Sequence, residues 1–370
     1  MATDTMSEFM GVRADPLDEA VSGELRKLTG PVSVDGKAAK RQYGYGLDAR
    51  LNDSFKAVNL LIDQGITVRR VRKPTEGLQL GDFIVPPGKE PIIADVAKKT
   101  GVDFRELKTG GSDGTQEAKR LRVGMYQRYR GGNMDEGWTR LLLEQFAFPY
   151  TTLLDAEIKK GGLNDKYDLV ILPDDSTFAM TGDRADERRD ERGGGARFRE
   201  ELYPPEYRSG FGKEGVDALK AFVQKGGKLV TFGRSTDFAI EKLELPIRNV
   251  LANRPAKEFF CPGSTLRAKF DRSNPLAYGM PAEGLVLFFN SPVFEIIPNE
   301  FNERYQTVVT YADTDILQSG WLIGPEALAK KPAMVSAKYG DGEVILIGFR
   351  AQHRAQTHGT FKLLFNCLIR

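Results

Sequence analysis

Between residues 120 and 243 short apolar strands alternate with amphipathic helices, and this alternation limits the possible folds more than any other feature of the chain. Residues 120–126 read as a strand. A glycine-containing turn at 130–134 leads into a helix over 135–146, with Trp138, Leu141, Leu142 and Gln145 spaced for one face. The unit repeats, with strands at 151–154, 167–173 and 228–233 and helices at 213–225 and 237–243. Strands separated by helices do not pair as hairpins. They are expected to lie parallel, helices covering both faces, in a doubly wound α/β fold with a mostly parallel sheet. Beyond residue 250 the helices thin out, and 266–270, 286–289, 306–311, 333–338 and 344–349 read as strands of an antiparallel extension. The last two are joined by the hairpin signal Tyr339-Gly340-Asp341-Gly342, and a final helix covers 360–368.

At 370 residues the chain exceeds what one core usually serves, so a second, smaller unit is expected. Residues 1–48 read as an irregular lead-in with a short strand at 32–34. Residues 49–107 read as a small α/β module: Asn52 caps a helix carrying Phe55, Val58, Leu61 and Ile62, and Gly65 ends it before a strand at 66–71. A short strand within 81–88 follows, and Pro91 opens a helix over 92–100. A glycine-rich linker is expected at 108–118, with the main domain over 119–370.

Lysine and arginine number 53 against 51 aspartates and glutamates, and a net charge of +2 gives no general field for nucleic acid or an anionic membrane. No apolar run approaches the ~20 residues of a membrane span, and no signal peptide is visible, so the chain as written is expected in the cytoplasm. Cys261 and Cys367 form no CxxC and are expected as buried thiols. The only histidines, His353 and His358, match no compact zinc pattern, so no metal site is expected in this chain.

Ligands of open α/β sheets gather beyond the carboxyl ends of the strands. One such turn, 127–134, places Arg128 and Arg130 beside a Gly-Gly pair and a helix start, either as an anion site or as a plain connection. A second, 172–177, carries the adjacent acids Asp174 and Asp175, which either ligate a cation or leave Asp175 and Ser176 to cap and turn the chain. The third, 232–238, runs from a strand through Gly233 into a helix, the geometry that lifts a nucleophile above a sheet. Ser235 there is either a nucleophile with His353 as base or an ordinary helix cap, and Asp237 replaces the second glycine of GxSxG. The segment 350–360 is unusually polar for a strand-to-helix connection, which makes Arg350 and His358 candidate ligand contacts. The charged tract at 183–195 is either a solvated loop or a lid anchored by Tyr203 and Tyr207.

The segments 132–140, 237–241, 274–281, 319–321 and 348–356 resemble the C-terminal portion of large bacterial zinc carboxypeptidase-like proteins of the M14 family. That portion is similar in fold to class I glutamine amidotransferases, a flavodoxin-like architecture, and the resemblance covers about 120–370. The HxxE motif that binds zinc in M14 peptidases is missing, and no histidine precedes His353. The resemblance thus implies that zinc belongs only to a peptidase domain absent from this chain, and that such a domain or subunit is a partner. Relatives of this kind are often exported, so the resemblance leaves the compartment open. Class I amidotransferases use a cysteine followed by a histidine and a glutamate. Here Ser235 stands at the cysteine position, His353 corresponds to the histidine, and Gln356 lies where the acid is wanted, so glutaminase activity is not expected. Three functions follow as expectations: a non-catalytic accessory or binding module of a metallocarboxypeptidase, a serine hydrolase using Ser235 and His353, and a sensor that binds a small molecule or peptide through Arg128, Arg130, Asp174 and Arg350.

Overall fold

A computed structural model describes residues 42–370 except 75–76, 111–112, 130–131, 184–203 and 205–209, together with scattered positions before 42. The strand expected at 32–34, nearly all of the charged tract at 183–195, Tyr203, Tyr207 and Arg130 lie outside the described residues.

The first unit is a five-stranded sheet of β1 (Tyr45–Leu47), β2 (Arg69–Val71), β3 (Phe83–Val85), β4 (Arg105–Glu106) and β5 (Thr115–Glu117), in the order β4-β1-β3-β2-β5. All its pairings are antiparallel. Tyr45, Leu47, Phe83 and Val85 alternate onto one face, where they are fully buried with Phe55, Val58 and Leu61 of α1 (Asn52–Asp63) and Ile93 of α2 (Glu90–Thr100). Two boundaries differ from expectation: β1 lies inside the supposed lead-in and β5 inside the supposed linker, because each is needed to complete the sheet. Asn52 is not a cap either. It is the first helical residue, and its Nδ2 donates to the His358 carbonyl at 2.9 Å.

The main sheet opens with β6 (Val123–Tyr126), β7 (Thr151–Leu153), β8 (Leu169–Leu172) and β9 (Lys228–Phe232). Between them run α3 (Met134–Gln145), α4 (Asp155–Lys160), α5 (Thr177–Thr181) and α6 (Gly212–Gln224), and α7 (Ser235–Lys242) follows β9. β10 (Ile247–Asn249) and β13 (Phe294–Ile296) form a separate ribbon. β11 (Ser264–Phe270), β12 (Glu283–Phe288), β14 (Tyr305–Tyr311), β15 (Leu317–Ser319), β16 (Pro332–Tyr339) and β17 (Gly342–Ile347) complete the ten-stranded sheet, and α8 (Phe361–Leu368) ends the fold. The order β7-β6-β8-β9-β17 is parallel throughout, which numbered within this set is 2-1-3-4-5, the flavodoxin-like doubly wound order. From β17 outward, β16, β14, β11 and β12 pair antiparallel, as expected for the extension.

The two units share one core. Phe365 of α8 is fully buried, with ring centroids 5.4 Å from Phe55, 4.8 Å from Phe146 and 5.1 Å from Phe148, so it touches the first module and the main domain together. Arg70 is inserted beside it: its guanidinium lies 5.3 Å from the rings of Phe83 and Tyr278 and donates to Asn366 Oδ1. No carboxylate pairs with Arg70 among the described residues, and burial, with repulsion from Arg72, pulls its pKa down to about 9. Cys261 and Cys367 are buried free thiols, and among the described residues no helix is long and apolar enough to cross a membrane.

A shared core predicts one cooperative unfolding transition rather than two. Phe365→Ala is expected to lower the stability of the whole molecule by about 3–5 kcal/mol. Urea unfolding followed by Trp fluorescence and by far-UV circular dichroism should give coincident curves for both proteins.

Candidate functional site

The strand order reverses between β6 and β8, and the crevice at the carboxyl ends of these strands is where doubly wound folds place ligands. Four strand ends deliver charge there. The turn after β8 carries Asp174 and Asp175, the turn after β9 carries Arg234, the segment after β17 carries Arg350, Gln352 and His353, and the turn after β6 carries Arg128. Asn133 caps α3 by accepting from the amides of Asp135 (2.9 Å) and Glu136 (3.3 Å), and its Nδ2 donates to the Asp174 carbonyl and to Asp175 Oδ2, both at 3.2 Å.

Arg350 is the hub. It is about one-tenth exposed, its Nη1 donates to Asp174 Oδ2 and lies 3.6 Å from Asp135 Oδ2, and its Nε donates to the Phe289 carbonyl at 3.1 Å. Asp174 Oδ1 accepts from the Arg234 amide at 2.8 Å and from its Nε at 3.3 Å. Asp135 Oδ1 accepts from the Asp174 amide at 3.0 Å and from Gln352 Nε2 at 2.9 Å. Asp175 Oδ1 accepts from Arg128 Nη1 at 3.1 Å and from the Ser176 amide at 2.9 Å.

The carboxylates differ in character. Burial raises Asp174, but Arg350 and Arg234 outweigh it and hold the carboxyl below the usual range. Asp135 is fully enclosed, and burial with the charge of Asp174 lifts it to about 6 against the pull of Arg350. Burial also raises Asp175, against Arg128. Asp135 Oδ2, Gln352 Oε1 and His353 Nδ1 are buried without a hydrogen-bond partner, so polar capacity remains on one side of the cluster. Arg350 Nη2 has no protein partner either among the described residues.

The elbow after β9 does not present Ser235 at its tip. Its strained position is Gly233, with φ of 52°, where a Cβ would meet Asp174 Oδ1 at 2.6 Å. Ser235, two residues on, is fully buried; its Oγ lies 2.9 Å from both the Leu172 and Phe232 carbonyls and accepts from the Phe232 amide at 2.9 Å. It neither caps α7 nor reaches a histidine. Thr236 likewise bonds back to the Gly233 carbonyl at 2.7 Å. His353 packs edge-on against Trp138 at 4.7 Å, and burial with Arg354 and Arg350 pulls its pKa down to about 4. The Ser235–His353 pair read from sequence is therefore not assembled.

Of the expected ligand contacts, Arg128, Asp174 and Arg350 come together, and Asp175 lies with them. His358 does not: it packs on Phe361 at 4.7 Å, at the junction with α1 near Asp53. Asp135, Arg234 and Gln352 join the site although sequence reading gave their side chains no ligand-binding role. An acid in the first turn of a helix complements its dipole whatever else it does, which hides the role of Asp135. Ser176 caps α5, accepting from the Ala179 amide at 3.2 Å, as the capping reading of that turn expects. Among the described residues no group of three or more His, Cys, Asp or Glu side chains is placed to hold a metal ion.

No protein-family model matches the sequence. No curated protein matches it significantly. Solved structures similar to the fold include a cytoplasmic protein from Salmonella typhimurium (9% identity, TM-score 0.40, covering 68% of this chain and 99% of that one). A ThuA-like protein from Bacteroides uniformis is similar at 12% identity and TM-score 0.37 over 70% of this chain and 93% of its own. A protein described as part of a GMP synthase, from Thermoplasma acidophilum, is similar at 10% identity and TM-score 0.38, over 68% of this chain and 94% of that one. These likenesses are distant, and none of the three is described as a carboxypeptidase.

Arg350→Ala would leave two buried carboxylates facing each other and is expected to cost about 3–5 kcal/mol in denaturant unfolding. Because the folded pKa of Asp135 lies above its unfolded value, Asp135 contributes stability that is present below about pH 4 and lost as pH rises through about 6. Asp135→Asn should therefore gain on the wild type by about 1–3 kcal/mol between pH 4 and pH 7. Paired unfolding curves at the two pH values would measure this shift.

Proposed function

We propose that the chain is a non-catalytic binding module that holds a small carboxylate-bearing ligand, free or at the end of a peptide, over the carboxyl ends of β6, β8, β9 and β17. The observation that carries this reading is the charged lattice around Arg350, assembled where a doubly wound fold takes its ligands but without a nucleophile at the elbow. Three guanidinium groups serve it: Arg350 keeps a partnerless Nη2, Arg234 is about half exposed, and Arg128 is partly exposed. Guanidinium groups suit planar carboxylates because two parallel donors match the two oxygens. Large apolar side chains beside the crevice, Met134 at 76% exposure and Tyr129 at 51%, give a ligand apolar surface to cover.

An accessory role beside an M14 zinc metallocarboxypeptidase extends this reading, and it rests on the sequence resemblance of residues 120–370. A peptide-terminal carboxylate is the chemical group such an enzyme handles, which links the two ideas.

The test is a titration with N-acetylglycine, using N-acetylglycinamide as the carboxylate-free control. Binding in the millimolar range is expected for the wild type, weakened about tenfold or more in Arg234→Ala, with no binding of the amide. Equal binding of acid and amide, or no effect of Arg234→Ala, would contradict the proposal.

A further inference from the structure

The opposite end of the same sheet holds a second polar cleft, unrelated to the strand-end site. β9, β17 and β16 place Lys228, Glu343 and Lys338 side by side in register, so these side chains share one face of the sheet. Ser336 and Gln306, paired across β16 and β14, continue the polar patch on that face. Arg304 and Arg370 complete the lining of a cleft of about 460 Å³, within the range of small-molecule sites.

The charges in this cleft do not cancel. Glu343 is already satisfied, by Lys228 Nζ at 3.1 Å and by the Ser336 hydroxyl, which donates at 2.6 Å. Among the described residues Arg304, Lys338 and Arg370 have no ion-pair partner, although Arg304 lies over the Phe301 ring at 4.2 Å. Asp341, on the hairpin, is the other carboxylate in the lining. Four cationic side chains stand against two carboxylate side chains in the lining, and the α-carboxylate of Arg370 offsets one of them, so positive charge still exceeds negative around a concave space. Gln306 is held in place, since its Oε1 accepts from Asn274 Nδ2 at 2.9 Å, so its side chain is pre-oriented beside the cations.

We propose that this cleft binds a phosphorylated small molecule through Lys338, Arg304 and Arg370, with the paired Lys228 and Glu343 forming its floor. A phosphate group suits the site because it takes charge-assisted hydrogen bonds from several cations at once. Attraction of this kind is weakened by salt, which gives the proposal a signature besides affinity.

The experiment uses the full chain and inorganic pyrophosphate, followed by isothermal calorimetry and by amide shifts in ¹⁵N-labelled protein. The expected result is saturable binding with a Kd on the order of 1 mM or tighter at low salt. Amide shifts should centre on Arg304, Lys338 and Gly340 to Glu343, and the Arg304→Ala/Lys338→Ala variant should bind about tenfold more weakly. Lys98→Ala/Lys108→Ala removes the same charge from positions elsewhere on the surface and should bind as the wild type does. Equal weakening by both double variants would show that pyrophosphate responds only to net charge. That result, or shifts centred away from the cleft, or no saturable binding, would overturn the proposal.

Discussion

The placement of Arg350 beside Asp174 and Asp135 is the interaction on which the strand-end region depends. A nearly enclosed guanidinium must recover, through close partners, the hydration it gives up, and here those partners come from three different segments of the chain. Asp174 ties the end of β8 to the turn after β9 through the Arg234 amide, and Asp135 ties the start of α3 to β8 and to Gln352. One buried cation thus fixes the relative positions of four strand ends. Burial and the charge of Asp174, working against Arg350, account for the readiness of Asp135 to take up a proton.

That requirement for close partners also shapes the elbow after β9. The approach of Asp174 to the turn after β9 is possible only because residue 233 has no side chain, and the positive φ there suits glycine. Ser235 is then drawn beneath the turn, where its hydroxyl bridges the ends of β8 and β9. A residue type that supports catalysis in one setting serves here to join two strands. The same economy appears at the module junction, where Arg70 is buried among aromatic rings with an amide rather than a carboxylate as partner.

Much of the fold was legible because the apolar periodicity of 120–243 switches cleanly between strand and helix, and residues such as Leu169–Leu172 are buried on both faces. The three turns named from sequence do meet at one edge of the sheet, since parallel strands all end on the same side. The joint core was not legible. Phe55 and Phe365 lie far apart in the chain, and nothing local to either marks them as neighbours. The placement of Ser235 was not legible for a related reason: the sequence Gly233-Arg234-Ser235 does not say which residue stands at the tip of the turn, and backbone dihedral angles decide that.

The reading we propose is that this doubly wound sheet binds a ligand at its strand ends and does not use Ser235 as a nucleophile. Intact-protein mass spectrometry after exposure to a broad serine-reactive fluorophosphonate tests this most directly. The buried, doubly anchored Ser235 predicts an unmodified mass under conditions that fully label a serine hydrolase. A stoichiometric adduct mapped to Ser235, and lost when the same serine is changed to alanine, would contradict the account.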